Sequence, residues 1–546
     1  MLSTPLDSFL KWEKENADKI FLRQPVNGIW KTWTWAQAGN EARRLAQAFR
    51  SLGLKEKDHV ALLSKNCAQW IISDIAMMMA GIVSIPIYPT LSAQAIKPIL
   101  IHSDAKAIIA GKLDDYSLQV NGIPGNMLKI GMETYNINEQ FSFERLIETN
   151  DPLSSLYSWN NEEIMTIIYT SGTTGKSKGV MHCVGAFGAT FSAAAPELEL
   201  PHHAELFSYL PLSHIAERLG IEMNAIYSGG TISFAESLET FAKNLAEIQP
   251  QIFFAVPRIW SKMREGILSK VSQGKLNLIL SIPLVNSIFK KSLKKKMGFS
   301  RTSHFFSAAA PISVELQEWY SKLGITIYQA YGMTEDCVYG HFCGPRAHKF
   351  GTAGKALPGV NVKIADEGEI RVKSEGNMKG YYKEAAMTAE AFDEEGYLKT
   401  GDLGEYDADG FLKITGRVKD QFKTDKGKYI SPAPIEVELL SNTDIEHVCV
   451  VGTGVPQPIA LICLSETGKK KTKDELVNSL SQTLNVVNLS LEKYEKLEKV
   501  VIMKENWTIA NNMITPSLKV KRNEIEKIHL PKYPVWYEKP GTVVWE

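Results

Sequence analysis

The chain has 546 residues, a length that exceeds one ordinary domain and allows two or more hydrophobic cores. Its 61 basic and 61 acidic residues give a formal net charge of zero, which excludes a strong overall attraction to nucleic acid and means that any anion site must be local. The six cysteines show no paired spacing for zinc, and the first twenty residues lack the apolar stretch of a signal peptide. We therefore expect a cytoplasmic protein that does not bind nucleic acid.

Apolar segments with strand character alternate with helical periods in the first part of the chain. The segments are HVALLS at 59–64, IVSIPIY at 82–88, AIIAG at 107–111, TISFA at 231–235 and ITIYQAY at 325–331, with a helical period at 35–52. This alternation predicts α/β sheets. The most apolar stretch, at 70–88, is interrupted by Ser73, Asp74 and Pro86. It therefore predicts a buried helix followed by a strand rather than a membrane span.

The pattern changes in the last third of the chain. From Asn361 it becomes short strands and turns, which predict a small β-rich subdomain. After Gly416 it is rich in lysine, with strands expected at 447–453 and 458–465 and a helix at 473–484. We predict an α/β protein with a large, multi-subdomain N-terminal part and a small α+β C-terminal domain.

One loop has the composition of a phosphate site. Residues 169–179 read YTSGTTGKSKG and follow an apolar run that ends at Ile168. Small residues let backbone N–H groups converge, and the hydroxyls, Lys176 and Lys178 add donors and positive charge. The loop is not a Walker motif, because Thr170 stands where that motif has its first glycine. For this cluster alone, a polar surface turn is the alternative.

Three further segments follow in order: YGMTE at 331–335, KTGDLG at 399–404 and ITGRVKDQFK at 414–423. Together the four resemble the adenylate-forming superfamily of acyl-CoA synthetases, firefly-type luciferases and peptide-synthetase adenylation domains. The segment TPSLKVKR at 515–522 resembles the form found in long-chain fatty acid CoA ligases.

This resemblance implies a two-part architecture with the active site between the parts. The N-terminal adenylation domain would span residues 1–416, the hinge 417–422, and a mobile C-terminal domain 423–546. The hinge would lie at Lys419, and Gly427 would face CoA in the second step.

The resemblance also implies the chemistry. A carboxylate would attack the α-phosphorus of ATP, pyrophosphate would leave, and the acyl-adenylate would react with coenzyme A. Since the nucleophile is already ionised, no general base is needed, and catalysis must come from in-line placement and positive charge. The expected ligands are ATP, Mg²⁺, CoA and a fatty acid, and the resemblance favours a fatty acid with a long chain.

The resemblance assigns roles to the residues of this chain that occupy matching positions in the family's motifs. Nucleotide binding is assigned to Thr170, Ser171, Gly172, Thr173, Thr174, Gly175, Lys176, Lys178, Ser307, Ala308, Ala309, Tyr331, Gly332, Asp402 and Arg417. Among these, Tyr331 would stack on adenine and Asp402 would accept from the ribose hydroxyls. Thr334 would bond the α-phosphate, and Glu335, with Thr174, would hold Mg²⁺. Relatives carry glycine in the loop at 307–311, so a positive φ at Ala308 would cost about 1 kcal/mol.

Lys519 occupies the position of the catalytic lysine that bridges the substrate carboxylate and the α-phosphate. Most relatives have glycine before this lysine, and here Leu518 replaces it. The neighbouring cations Lys521 and Arg522 remain alternatives for the same role.

For the acyl group, His214 in PLSH would lie near the carboxylate, and Trp260 matches an aromatic gate of long-chain members. A satisfied loop histidine and a core tryptophan are the alternatives. The basic segment FKKSLKKK at 289–296 could contact anionic lipid at the inner membrane face, or it could be a solvated helix face.

Two other functions remain open. The enzyme could load a carrier-protein phosphopantetheine instead of CoA, or the chain could be a non-catalytic acyl or nucleotide sensor. The retention of Lys519, Glu335 and Asp402 argues against the sensor, because a binding module needs neither a magnesium ligand nor a bridging lysine. A homodimer is compatible with the sequence.

Overall fold

The computed structural model describes residues 3–171, 177–515 and 518–546, with only the backbone of Ser171. Its helices are, in chain order, α1 (Pro5–Glu15), α2 (Trp35–Ser51), α3 (Ala68–Ala80), α4 (Ala93–His102), α5 (Phe143–Thr149), α6 (Val184–Glu197), α7 (Ile215–Glu217), α8 (Asn224–Ser228), α9 (Phe241–Ile248), α10 (Pro257–Leu268), α11 (Gln273–Ser281), α12 (Pro283–Met297), α13 (Val314–Lys322), α14 (Ala385–Ala391), α15 (Pro432–Leu439), α16 (Lys473–Ser490), α17 (Arg522–His529) and α18 (Tyr533–Glu538).

The strands are β1 (Ile20–Val26), β2 (Ile29–Thr34), β3 (His59–Leu63), β4 (Val83–Ile87), β5 (Ala107–Ala110), β6 (Leu128–Gly131), β7 (Phe141–Ser142), β8 (Ile164–Ser171), β9 (Ser177–Cys183), β10 (Glu205–Ser208), β11 (Thr231–Phe234), β12 (Ile252–Ala255), β13 (His304–Ser307), β14 (Ile327–Tyr331), β15 (His341–Phe342), β16 (Lys355–Ala356), β17 (Asn361–Ile364), β18 (Glu369–Lys373), β19 (Gly380–Tyr381), β20 (Leu398–Tyr406), β21 (Leu412–Arg417), β22 (Phe422–Lys423), β23 (Tyr429–Ile430), β24 (Ile445–Val451), β25 (Ile459–Leu464), β26 (Lys499–Ile502) and β27 (Val543–Trp545).

The large N-terminal part contains three sheets. An eight-stranded sheet has the order β19-β9-β8-β4-β3-β5-β6-β7, and a nine-stranded sheet has the order β16-β15-β14-β13-β12-β10-β11-β1-β2. The largest core cluster draws residues from both sheets and from α2, α3 and α6, and α3 is buried along its whole length. A smaller antiparallel sheet, β17-β18-β20-β21, forms the predicted β-rich subdomain.

The C-terminal part folds around cores of its own. Two clusters of buried residues there contain only residues from Phe422 onward, and the main sheet has the order β24-β25-β26-β27. It touches the N-terminal part at α10, where Arg258 pairs with Glu446 and Arg264 Nη2 donates to the carbonyl of Ser441 at 2.9 Å. These contacts bring the C-terminal part against the large part.

Most predicted elements are confirmed. The segments read as strands become β3, β4, β5, β11, β14, β24 and β25, and the period at 35–52 becomes α2. The apolar stretch at 70–88 is the buried helix α3 followed by β4, as predicted. Helix α16 begins at Lys473, because Thr472 and Glu475 form a capping box, and it extends to Ser490, beyond the predicted end. Among the described residues, no helix has both the length and the apolar character that a membrane crossing requires.

The described flanks of the predicted phosphate loop belong to two paired strands. Strands β8 and β9 pair antiparallel, with Thr170 opposite Lys178 and Ser171 opposite Ser177. The flanks of the motif are therefore strand residues rather than loop residues. Gly172, Thr173, Thr174, Gly175 and Lys176 lie outside the described residues.

Candidate active site

Three of the four motifs meet at the carboxylate of Asp402. The Tyr331 hydroxyl donates to Oδ2 of Asp402 at 2.9 Å, and Arg417 Nε donates to Oδ1 at 2.6 Å. Asp402 and Arg417 are directly opposite each other on β20 and β21, so the sheet register itself creates their contact. The charge of Asp402 is the main cause that raises the pKa of Arg417, and burial raises the pKa of Tyr331 well above its usual range. The site therefore holds a fixed cation and a neutral phenol against one carboxylate.

Glu335 lies near β9, one of the two strands that flank the predicted phosphate motif. The Tyr381 hydroxyl donates to Oε1 of Glu335 at 2.9 Å, and the Lys178 ammonium lies 5.0 Å from the centre of the Tyr381 ring. Tyr381 belongs to β19, which pairs with β9. The chain thus places a hard carboxylate oxygen next to a cationic strand, which fits the ligand chemistry of Mg²⁺.

A buried acid that the sequence analysis did not single out shapes this loop. Asp336 Oδ1 accepts from the backbone N–H of Met333 at 2.8 Å, and burial raises the pKa of Asp336 to about 7. A Cβ atom on Gly332 would lie 2.8 Å from Cα of Val338, so glycine is required for this close approach. The tight loop presents Thr334 and Glu335 together. The acid directly after TE in YGMTED was the available signal.

Lys519 reaches the same region from the C-terminal part. Burial is the main cause that lowers its pKa, the charge of Arg417 lowers it further, and the charges of Asp402 and Glu335 oppose that shift. The side chain is accessible to solvent, although charged groups of the N-terminal part act on it. Its charge also contributes to the lowered pKa of His214. Lys519 thus lies within electrostatic range of Arg417, Asp402, Glu335 and His214.

The loop that carries Lys519 has a backbone feature linked to the Gly-to-Leu replacement. Leu518 has φ of 63°, in the left-handed region where glycine is favoured. The backbone N–H of Lys519 donates to Thr515 Oγ1 at 3.0 Å, and the N–H of Thr515 donates to the carbonyl of Lys519 at 2.7 Å. These bonds close the loop and hold Leu518 in its strained conformation.

The two competing cations are engaged elsewhere. Arg522 Nη2 pairs with Glu436 Oε1 at 2.5 Å inside the C-terminal part, and Lys521 Nζ donates to Asn512 Oδ1 at 2.5 Å. These contacts favour Lys519 as the cation that faces the cleft. The predicted hinge residue Lys419 is exposed in a short helical turn at 418–420 between β21 and β22.

His214 and Trp260 occupy different environments. His214 Nδ1 accepts from the backbone N–H of Ala216 at 3.2 Å, and burial lowers the pKa of its ring to about 4, so the imidazole is neutral at pH 7. Trp260 is 0% exposed. Its ring packs against four aromatic rings, those of Phe253, Phe299, Phe305 and Tyr320. This is the packing of a core residue, and the gate stays a prediction.

The loop at 307–311 differs from the sequence expectation at one position. Ser307 ends β13 and is buried, as is Ala308, but the positive φ of 71° falls on Ala309 rather than on Ala308. The strain expected from the missing glycines is therefore present one residue further along. Gly427 has φ of 77° in the turn between β22 and β23 and is exposed.

A buried ion pair behind His214 was also missed. Arg218 Nη2 contacts both carboxylate oxygens of Asp74 at 2.7 and 2.6 Å, and Arg218 Nη1 donates to Thr166 Oγ1 at 2.7 Å. Both charged side chains are almost fully buried. The pair ties the segment that follows His214 to α3 and β8. A polar Asp74 within an apolar helix was the available signal.

Comparison with known families agrees with this geometry. A profile described as AMP-binding enzyme matches residues 9–382, and a profile described as AMP-binding enzyme C-terminal domain matches residues 419–530. This chain belongs to the AMP-binding enzyme family. The resemblance inferred from the four motifs is thereby confirmed.

Relatives in this family include long-chain-fatty-acid–CoA ligases. The chain is 29% identical to FadD15 of Mycobacterium bovis, with 94% of this chain and 93% of the relative covered. It is 28% identical to ACSBG2 of Xenopus laevis, with 96% and 82% covered.

Solved structures share the fold. The adenylation domain of a carboxylate reductase from Mycobacterium chelonae has a TM-score of 0.84 at 21% identity, covering 98% of this chain and 91% of that one. An anthranilate CoA ligase in complex with anthranoyl-AMP has a TM-score of 0.79 at 20% identity, covering 96% and 97%. The predicted architecture, a large α/β part with a smaller C-terminal domain, is confirmed.

Proposed function

We propose that this AMP-binding enzyme activates a long-chain fatty acid with ATP and transfers the acyl group to coenzyme A, releasing pyrophosphate and AMP. The observation that carries the proposal is the hydrogen-bonded group of Tyr331, Asp402 and Arg417, whose charges reach the exposed Lys519 of the C-terminal part. Support for a long chain and for CoA as the acceptor comes from relatives named long-chain-fatty-acid–CoA ligase that cover more than nine-tenths of this chain.

In the first half-reaction, the carboxylate of the acid attacks the α-phosphorus and the bond to pyrophosphate breaks. Asp402 would accept from the ribose hydroxyls, and the Tyr331 ring would contact the adenine. The Lys519 ammonium would bind the incoming carboxylate and the α-phosphate together, reducing the repulsion between two anions as they approach. Since the His214 ring is neutral, it adds no charge that would compete for the carboxylate.

The residues also fit a divalent cation. Glu335, with Thr174 as the second predicted ligand, would hold Mg²⁺, which would neutralise charge on the departing phosphates. Lys178 on β9 would contact the same phosphates. These roles come from the motif resemblance, and the structure supports them by placing both Glu335 and Lys178 near Tyr381.

In the second half-reaction, the thiol of CoA attacks the acyl carbonyl, the thioester forms and AMP leaves. We propose that the C-terminal part rotates at Lys419, which withdraws Lys519 and brings the turn at Gly427 toward the cleft. The exposed position of Lys419 between two strands is compatible with a large backbone rotation.

A pyrophosphate-release assay over straight-chain acids from acetate to oleate, with and without CoA, tests this proposal. We expect the highest kcat/KM with long chains and an acyl-CoA product detectable by mass spectrometry. Release of pyrophosphate without thioester would refute CoA as the acceptor and favour a carrier protein. A preference for short acids would refute the chain length, and no release with any acid would refute the activity.

A further inference from the structure

A helical hairpin on the N-terminal part combines an unusual charge with exposed apolar side chains. Helices α11 and α12 are joined by the single residue Ile282. The stretch from 266 to 314 contains eight Lys and Arg residues and no Asp or Glu, although the whole chain carries no net charge. Positive charge is therefore concentrated in one segment of an otherwise balanced protein.

The tip of this hairpin is apolar and faces solvent. The exposed fractions are 65% for Leu278, 45% for Ile282, 81% for Leu284, 43% for Val285 and 71% for Ile288. Single exposed aliphatic residues are ordinary, but five within eleven consecutive residues concentrate exposed apolar surface at this end of the hairpin, which is typical of an interaction site.

Helix α12 has two different faces. Phe289, Leu293 and Met297 recur at helical spacing and pack against the core cluster that contains Trp260. The opposite stripe consists of residues 284, 288, 291 and 295, and all four are exposed. Along this stripe the first two residues are apolar and the last two are lysines. The outer face thus changes from aliphatic at the tip to basic at the base.

The lysines of this face are not used inside the protein. Within the described ranges, none of the five lysines at 290–296 forms an ion pair. Helix α12 packs against α9, whose Glu247 accepts from Trp30 Nε1 at 3.0 Å and lies 4.0 Å from Lys243. The positive charge of α12 is therefore available to an external anion.

We propose that the α11–α12 hairpin docks on an anionic lipid bilayer. The aliphatic tip would enter the acyl boundary, and Lys291 and Lys295 would lie at the level of the anionic headgroups. Charge complementarity distinguishes this occupant from a second copy of the chain, because two such faces would oppose like charges. The proposal does not rest on the ligase activity, although docking would bring a fatty acid ligase to the phase into which its substrate partitions.

Vesicle flotation with the full chain tests the proposal. The probes are vesicles of phosphatidylcholine and of phosphatidylcholine mixed with phosphatidylglycerol. We expect the protein to float with the mixed vesicles, to bind the neutral ones at least tenfold more weakly, and to be released by salt.

Two variants separate the apolar and the basic contributions. Leu284→Ser with Ile288→Ser should weaken binding at least tenfold, and Lys291→Gln with Lys295→Gln should weaken it about twenty-five-fold, taking roughly fivefold for each lysine. These side chains are exposed, so the thermal unfolding temperature should not change.

Matched controls lie on other exposed surfaces. Val486→Ser with Leu489→Ser on α16 removes two aliphatic residues that are 61% and 84% exposed. Lys11→Gln with Lys14→Gln on α1 removes two exposed lysines. Both control pairs should bind vesicles as the unmodified protein does.

Several results would overturn the proposal. These are absence of the unmodified protein from anionic vesicles, unchanged binding of both hairpin variants, or an equal loss in the controls. A concentration-dependent dimer that Leu284→Ser with Ile288→Ser abolishes, without vesicle binding, would assign this face to a second copy instead. Because flotation needs no catalysis, its outcome is independent of whether pyrophosphate release is observed.

Discussion

Replacement of Lys519 by alanine should separate the two half-reactions. The proposed role of this ammonium exists only while the carboxylate approaches the α-phosphate. We expect pyrophosphate release to be lost, while formation of thioester from supplied acyl-adenylate and CoA changes by no more than a few-fold.

The size of the loss follows from the surroundings of the ammonium. Lys519 is accessible to solvent before the substrates bind, so water partly screens the charges around it. Removal of one preorganised group that stabilises developing charge costs about 3 kcal/mol, which is roughly a hundredfold in rate. Lys521→Ala is the matched control, since that lysine contacts Asn512 and should alter neither step by more than a few-fold.

The pH dependence supplies a second readout. A lysine with a lowered pKa keeps its charge below that pKa and loses it as pH rises through it, at a pH below its ordinary value of 10.5. The adenylation rate should therefore fall on the alkaline side. Lys519→Arg, which stays charged, should lack this fall in whatever activity it retains.

Single-turnover assays with quenched samples measure each half-reaction separately. Equal losses in both steps for Lys519→Ala would refute the assigned role, as would a larger loss of pyrophosphate release in Lys521→Ala. An alkaline fall that persists in Lys519→Arg would assign the titration to another group.

Four further predictions concern the same cleft and its supports. Asp402→Asn should raise the KM for ATP by about 10- to 100-fold, because charge-assisted bonds contribute roughly 1.5 to 3 kcal/mol. Glu405→Gln on the same strand is the control and should leave this KM unchanged. Initial-rate kinetics measure the KM of both variants. Trp260→Ala should lower the free energy of unfolding, measured by urea denaturation, by about 3 to 5 kcal/mol. If the same variant also changes the preference for acyl-chain length, that result would support the gate. Leu518→Gly should relieve a left-handed strain of about 1 kcal/mol, measured as a higher urea midpoint; a lower midpoint would contradict it. Lys419→Pro should leave acyl-adenylate formation near its normal rate and slow CoA transfer by orders of magnitude, because proline locks φ; survival of both steps would remove the rotation from the mechanism.

The elements of secondary structure followed closely from local sequence. Helix α16 begins at the predicted Lys473, where Thr472 and Glu475 form a capping box, a contact among four consecutive residues. The motif at 169–179 predicts a loop, although its flanks pair as β8 and β9. Glycine and hydroxyl residues indicate a flexible, polar backbone segment. Whether that segment pairs as a strand depends on its partner strand, which the composition of the segment does not reveal.

The sequence by itself determined the family, the order of its motifs and the types of chemical group that the site contains. The tertiary structure decided which groups meet. It aligned Asp402 with Arg417 across two strands, paired Arg522 with Glu436, and buried Trp260 among aromatic rings. It also paired Asp74 with Arg218, residues separated by 144 positions. Periodicity and capping act over a few residues, whereas burial and charge pairing depend on packing between distant segments, so only the folded chain specifies them.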